Sequence, residues 1–376
     1  MMSVYDQIMA EMESRLAFKC ETYAPQYICS YAVHAFNLMN QKQEIYFAGK
    51  MLPNMRVHLL FISPSGFMKT FYQDNMAVDK YGIFHNTVIS ISSEQEMTSA
   101  GFTGTIATVD GLSQPKPGAA ELNMDSIMVI DEFKGVTEAL KNQMNGQMET
   151  QLLAALDHGN VFKRLAGGAV SYTTHLTLWT GVQPGSYDLS SGLGRRLAVM
   201  NFVPTKDDNL AIMEIMHKTR GMKPDHDAMR ELRENIDMAV HSMKGIEKIE
   251  FDDSILKLYR ELDMYSFETT YFDRMILGYY LMKYPIDKVI HVDTGDKELV
   301  EMLRRQKTWR EDVYIGLDFI QIRKILVMHG KKCTRSVLAK ECAMIGWNTK
   351  QVNEKLVDMQ KCMMVSVRGT DVTLLE

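Results

Sequence analysis

The sequence predicts an α/β fold: a parallel sheet interleaved with helices, then a helical segment, then a small C-terminal module. Three observations predict it. Short continuous apolar runs, VHLLFIS (residues 57–63) and SIMVIDEF (126–133), end at polar residues, as strands buried on both faces do. Helical stretches separate these runs, and strands alternating with helices argue for a parallel sheet. The stretch SPSGFMKT, Ser63 to Thr70, lies between the first run and a helix, the setting in which a loop can cradle phosphate.

Taken in order, residues 1–50 carry helical periodicity with a turn expected near Pro25, and YICSYAVHAFNLMNQ repeats apolar positions at helical spacing. After the loop, FYQDNMAVDKYG reads as a helix and HNTVISIS (residues 85–92) as a second strand. Gly and Thr crowd MTSAGFTGTIATVDG, which ends at the breaker SQPKPGAA. SIMVIDEF closes with paired acids, and VTEALKNQMNGQMETQLLAALDHG is strongly helical. NVFKRLAGGAVSYTTHLTLWTG alternates, pauses at Gly167 and Gly168 and alternates again, which predicts a hairpin leading into a core strand. RRLAVMNFVP (195–204) is the last strand of the set. From Lys206 to about Gly316 the chain reads as charged helix with no convincing strand. FIQIRKILVMHG, TRSVLAKECAMIG and NTKQVNEKLVDMQKC then read as three short helices, and MMVSVRGTDVTLLE as strands around a glycine turn, a winged helix-turn-helix pattern. The expected domains are 1–204 for the α/β core, 205–317 for a helical lid and 318–376 for the winged helix.

Composition bounds the function. At 376 residues, 46% hydrophobic and 24% charged, the chain has the balance of a soluble globular protein with two or three domains. No run of eighteen apolar residues predicts a membrane span, and MMSVYDQIMAEMESR lacks a signal pattern. Five cysteines without a CxxC pair predict reduced thiols in a cytoplasmic protein and no zinc site. Thirty methionines, scattered through helical stretches, read as adaptable core filler. The net charge of −5 hides an asymmetry: from Phe319 onward there are ten Lys/Arg against five Asp/Glu. A basic end on an acidic body fits a partner that is a polyanion.

In a phosphate-binding loop, backbone N–H groups at a helix start surround the phosphates, a lysine reaches the terminal ones, and the next hydroxyl ligates Mg²⁺. Ser63, Pro64, Ser65, Gly66, Phe67, Met68, Lys69 and Thr70 would form that loop, although Ser63 and Met68 stand where glycines are usual. Met68 is tolerable there if its side chain points away from the phosphates. Asp131 and Glu132 follow an apolar strand about sixty residues later. Asp131 would hold Mg²⁺ with Thr70, and Glu132 would polarise a water for attack on ATP; without the loop, the same pair reads as an acidic helix cap. Arg195 and Arg196 precede the last strand, where a guanidinium could reach a neighbouring subunit's γ-phosphate or simply solvate a strand edge. Thr180 and Gln183 both stand near the end of LTLWTGVQP, and either could position the lytic water.

The order of these segments resembles the AAA+ module of the minichromosome-maintenance (MCM) replicative helicases over roughly residues 20–204. APQYICSYAVHAFNLM is similar to the family's first core helix, SPSGFMKT to its loop, SAGFTGTIATVDG to the segment leading into its helix-2 insert, and IDEF matches outright. MNGQMETQLL is similar to the helix that follows, KRLAGGAVSYTTHLTLWTGVQP to the presensor-1 hairpin and sensor 1, and LGRRL stands in the place of the Ser-Arg-Phe finger. Gly66, Lys69, Thr70, Asp131 and Glu132 carry over. Ser63 in place of the first glycine, Thr180 or Gln183 in place of Asn, and Gly194 in place of the finger's serine are departures. About sixty residues precede the loop, without the family's DNA-encircling domain and zinc motif, which implies a shortened cousin such as a virus, plasmid or integrated element carries.

The resemblance implies an ATP- and Mg²⁺-dependent DNA helicase working as a hexamer, each site shared between subunits. Arg274, in YFDRMILGYYLMKY, is then either a second sensor on a lid helix or an ordinary surface arginine. Lys163 and Arg164 at the hairpin would touch phosphates of single-stranded DNA in a central pore, or lie in a solvated turn. Lys350, Lys355 and Arg368 in the winged helix would contact duplex DNA, or that module would pack on partners. Two other readings stay open. AGFTGT is similar to the loop with which bacterial enhancer-dependent transcription activators grip polymerase, and the unusual loop could hold ATP as structural glue in a non-hydrolysing DNA-binding initiator.

Overall fold

The computed structural model describes residues 2–375 except 41–45, 48–49, 52–54, 95–97, 110–111, 134–146, 166–167, 185–193, 195, 223–224, 316, 345–346 and 363. Five strands, β1 (His58–Ile62), β2 (Ile91–Glu94), β3 (Ile127–Ile130), β4 (Thr177–Val182) and β5 (Leu197–Asn201), form one sheet in the order β5-β1-β4-β3-β2. Every neighbouring pair is parallel. All residues of β1, β3, β4 and β5 are buried, so the mixed α/β class read from continuous apolar runs holds. Strand alternation splits β1 between two cores. Leu59 and Phe61 face one with the N-terminal helices, and Leu60 and Ile62 face the other.

Besides the single turns Ser99–Thr103 and Ala119–Leu122, the α-helices among the described residues are α1 (Val4–Ser14), α2 (Cys20–Met39), α3 (Lys69–Gln73), α4 (Gln147–Asp157), α5 (Lys206–Lys218), α6 (His226–Ser242), α7 (Asp253–Glu261), α8 (Ser266–Lys283), α9 (Lys297–Ile315), α10 (Leu317–Met328), α11 (Arg335–Ala343) and α12 (Thr349–Lys361). Residues 23–37 of α2 are all buried, because the helix is sandwiched between the sheet and α8. Ser30 links the sheet side, accepting from Trp179 Nε1 at 2.8 Å and donating to the Val57 carbonyl. On the other side Gly278 abuts the Cys29 carbonyl, leaving no room for a side chain. The turn expected near Pro25 is absent; the chain turns at Leu16 and Lys19, both at positive φ, and α2 runs through Pro25. Proline cannot donate to the Glu21 carbonyl one turn back. Arg305 of α9 donates to that carbonyl instead, at 2.9 Å.

Three other expectations shift. The second strand is Ile91–Glu94 rather than 85–92, because Asn86 takes positive φ and Thr87 bonds the Phe84 carbonyl in a turn. The Gly/Thr-rich stretch and its breaker form an antiparallel hairpin, Thr105–Val109 with Leu112–Lys116. Its neck closes at Gly104 and Gly118, where a Cβ on Gly118 would sit 2.3 Å from the Gly104 nitrogen. The region 205–317 does hold strands: Lys248–Phe251 and Val289–Val292 pair in parallel, too short and too far apart in sequence to announce themselves. α9 lies along β5, with Asn201 donating to Asp312 at 3.4 Å and Trp309 stacked on Tyr23. The C-terminal residues form α10, α11 and α12 over a three-stranded antiparallel sheet that adds Lys332–Thr334 to the expected strand pair. That module has its own core around Ile322, Leu338, Leu356 and Val372. No helix among the described residues is long and apolar enough to cross a membrane.

Candidate nucleotide site

Parallel strands deliver their carboxyl ends to one edge of the sheet, and loops leaving that edge are where ligands of open α/β sheets bind. Ser63, Asp131 and Gln183 each follow the last residue of a strand: β1, β3 and β4. The Ser63 N–H bonds the Val182 carbonyl at 3.1 Å, so the loop leaves β1 in register with β4. Gly66 takes φ +80°, with nothing within 4 Å of where a side chain would start. It is the one loop position that needs a glycine, since neither Ser63 nor Met68 has positive φ. Met68 is 5% exposed and belongs to the core with Phe61 and Tyr72, so its side chain does point away from the loop's open side. Phe67 lies edge-on to Phe202 beyond β5, and Pro64 is buried while Ser65 is exposed.

Lys69 starts α3, and its side chain is 7% exposed with Nζ 3.5 Å from Glu132 Oε2. Thr70 donates to Asp131 Oδ1 at 3.0 Å, and Gln183 donates to Glu132 Oε2 at 3.4 Å. The loop cation and hydroxyl thus already face the acid pair, and β4, lying between β1 and β3, brings in Gln183. Glu132 Oε1 is buried without a hydrogen-bond partner among the described residues. Gln73, one turn beyond Lys69, is 1% exposed, and neither of its amide atoms has a partner among the described residues. Buried polar atoms of this kind mark places where water or a ligand belongs. Gly181 makes the arrangement possible: a Cβ there would lie 2.6 Å from the Asp131 carbonyl oxygen and 3.2 Å from Lys69 Cδ. Beside the end of β5 a cleft of about 670 Å³ opens, edged by Tyr23, Phe202, Trp309 and Lys324. The donor set fits a magnesium-bound triphosphate: a lysine, a left-handed glycine at an open loop, a hydroxyl, and a carboxylate to share a hard cation.

The other sequence candidates divide. Thr180 is buried and donates to the Leu59 carbonyl inside the sheet, so Gln183 alone reaches the acids. Arg274 donates to the carbonyl of Arg56, two residues before β1 begins, at the opposite end of the sheet. Burial lowers its pKa, and it is neither at the site nor an ordinary surface arginine. Arg196 also lies at that far end: Leu197 pairs with His58, about 16 Å along the strand from the loop. There it forms an ion pair with Asp157, the last residue of α4. Arg195 lies outside the described residues.

On the hairpin Asn160–Leu165 and Gly168–Thr173, Lys163 turns inward to Thr103 Oγ1 and the Gly104 carbonyl, both at 3.4 Å, and burial lowers its pKa. Strand alternation sends Arg164 and Phe162 the other way, the guanidinium 5.8 Å from a ring that is 59% exposed. In the C-terminal module Lys350 is exposed beside Glu354, Lys355 leans over Phe319, and Arg368 is exposed at the Gly369 turn. Gly181, Gln73, Asp157 and Phe162 join these arrangements only in the folded chain. Only Phe162, an aromatic directly before Lys163 and Arg164, carried a local signal. Compared with known proteins, the chain matches no family model and no curated relative.

Proposed function

We propose that this chain is an ATP-hydrolysing motor subunit of the AAA+ class, similar to MCM helicases, that acts on DNA as a ring. One observation carries the reading: Lys69, Thr70, Asp131, Glu132 and Gln183 converge at the carboxyl ends of three adjacent parallel strands. In this reading Lys69 and the loop N–H groups bind the phosphates, while Thr70 and Asp131 hold Mg²⁺. The ion neutralises charge that develops on the phosphates. Glu132 takes a proton from the attacking water, and Gln183 holds that carboxylate in place. Its contact with Glu132 favours hydrolysis over a loop that merely stores nucleotide. Arg196 is too far away to serve its own subunit's site, which is what a finger acting on a neighbour requires. The helical region 205–317 is the lid in this reading, and 318–376 is a winged helix.

For DNA, the outward Phe162 and Arg164 replace the inward Lys163 as the hairpin's contact, pairing a stacking surface with a charge for phosphate. Lys350 and Arg368 are exposed cations that the C-terminal module would offer to duplex DNA. Against the activator reading, Phe102 and Thr103 of AGFTGT are fully buried at the neck of a hairpin, which supports the helicase-like reading over an exposed gripping loop. ATP turnover with and without single-stranded DNA tests the proposal. Wild type is expected to hydrolyse ATP faster with DNA, and Glu132→Gln to bind ATP but turn over about a hundredfold more slowly. Equal turnover of the two proteins would remove Glu132 from the chemistry.

A further inference from the structure

A buried charge cluster in the helical region reaches the segment that carries Arg196. Arg310 of α9 is 2% exposed, and its Nη2 donates to the carbonyl of Gly194 at 3.0 Å. Its Nε lies 3.1 Å from Glu268 Oε1, and its guanidinium stands 5.1 Å from the centre of the Tyr271 ring. Glu268 of α8 is itself 2% exposed and also takes the Lys307 ammonium, at 3.0 Å. A buried ion cluster contributes little net stability against well-packed apolar residues, because desolvating each charge costs as much as the pairing returns. Its effect here is geometric: the guanidinium lies between the Glu268 carboxylate and the Tyr271 ring, and its Nη2 grips backbone at Gly194. Gly194 is two residues before Arg196 and three before β5.

We infer that Arg310 is a positioning residue for the trans-acting arginine: it pins Gly194 so that Arg196, paired with Asp157 within its own subunit, exchanges that partner for the neighbour's phosphate from a fixed point set by α8 and α9. The inference rests on the shared-site reading above. The described contacts of Arg310 are with Gly194, Glu268 and Tyr271 rather than with the loop or the acids of its own subunit, so its loss should damage hydrolysis at the neighbour's site and spare its own. Transition-state charge stabilisation depends on where a guanidinium sits, and a finger that starts from a loose segment loses that benefit without loss of nucleotide binding.

Arg310→Lys keeps a charge beside Glu268 but gives up the Nη2 donor that reaches the Gly194 carbonyl. The expected result is normal thermal melting, fluorescent ATP-analogue affinity and KM within about twofold of wild type, and turnover about tenfold lower. Mixing this variant with Glu132→Gln subunits should restore turnover, because one supplies an intact acid and the other an intact finger segment. Turnover close to wild type, a loss that mixing does not recover, or failure of Arg310→Lys to fold overturns the inference. Arg196→Ala mixed with Glu132→Gln reports on the underlying reading. No recovery in that pair, or no turnover by wild type, removes the shared site and the inference with it. Recovery in that pair alone removes only the role of Arg310.

Discussion

At the scale of single residues, the site depends on what is missing as much as on what is present. Gly181 sits where a methyl group would collide with the Asp131 carbonyl and press on the stem of Lys69. Overpacking of that kind costs about 1–3 kcal/mol and moves whatever can yield, here the lysine. Gly181→Ala is therefore expected to bind a fluorescent ATP analogue about tenfold more weakly while remaining folded; unchanged affinity would mean that Lys69 tolerates the shift. Lys69, Thr70, Asp131 and Glu132 were legible in the sequence because each lies inside a contiguous stretch whose strand context could be read beside it. Gly181 was not, because the atoms it must clear come from residues 69 and 131. Thr180 and Gln183 could not be separated by spacing either. Only the pairing of β4 with β1 turns Thr180 into the sheet and leaves Gln183 facing Glu132.

At the scale of elements, α2 shows how a sequence signal can be correct in chemistry and wrong in outcome. Pro25 does remove a helix donor, which is why a turn was expected there. The helix survives because Arg305 fills the vacated Glu21 carbonyl from another element, 284 positions along the chain. Arg305→Met leaves that carbonyl without its protein partner, and the expected loss is about 1 kcal/mol, read as a lower denaturation midpoint in urea. A double variant with Pro25→Ala should lose less than Arg305→Met alone, since alanine restores the donor; a larger loss would show that Arg305 acts through other contacts. The hairpin teaches the same lesson. Residues 160–173 were legible as alternating strands, yet which face packs inward is decided by the neighbouring hairpin at Thr103 and Gly104, which Lys163 meets.

At the scale of the whole molecule, buried ionisable groups make stability depend on pH. Burial pushes His34 down to about 3 and His58 well below its usual value. Both are neutral when folded, so the stability they contribute is present above about pH 6.5 and lost as pH falls, because the unfolded chain takes the protons first. At pH 5, His34 alone removes about 2 kcal/mol, and His58 acts in the same direction. Asp273 opposes them. Burial raises its carboxyl to about 6, so keeping it charged costs stability above that value, and acidification recovers about 1 kcal/mol by pH 5. Burial raises Asp74 and Asp312 in the same direction as Asp273. The two histidines outweigh these carboxyls, and the urea midpoint is expected to fall between pH 7.5 and pH 5, whereas a midpoint that rises would mean that they do not. Asp273→Asn should raise stability at pH 7.5 and make little difference near pH 4.

The sequence by itself determined the α/β class, the loop between β1 and α3, the acid pair after β3 and the three C-terminal helices, because each is written in residues that are neighbours along the chain. The tertiary structure alone decided the order β5-β1-β4-β3-β2, the choice of Gln183, the removal of Arg274 to the far end of the sheet, and the grip of Arg310 on Gly194. Those outcomes rest on pairings between residues tens to hundreds of positions apart, and side-chain direction in a sheet or helix is set only when such pairings close.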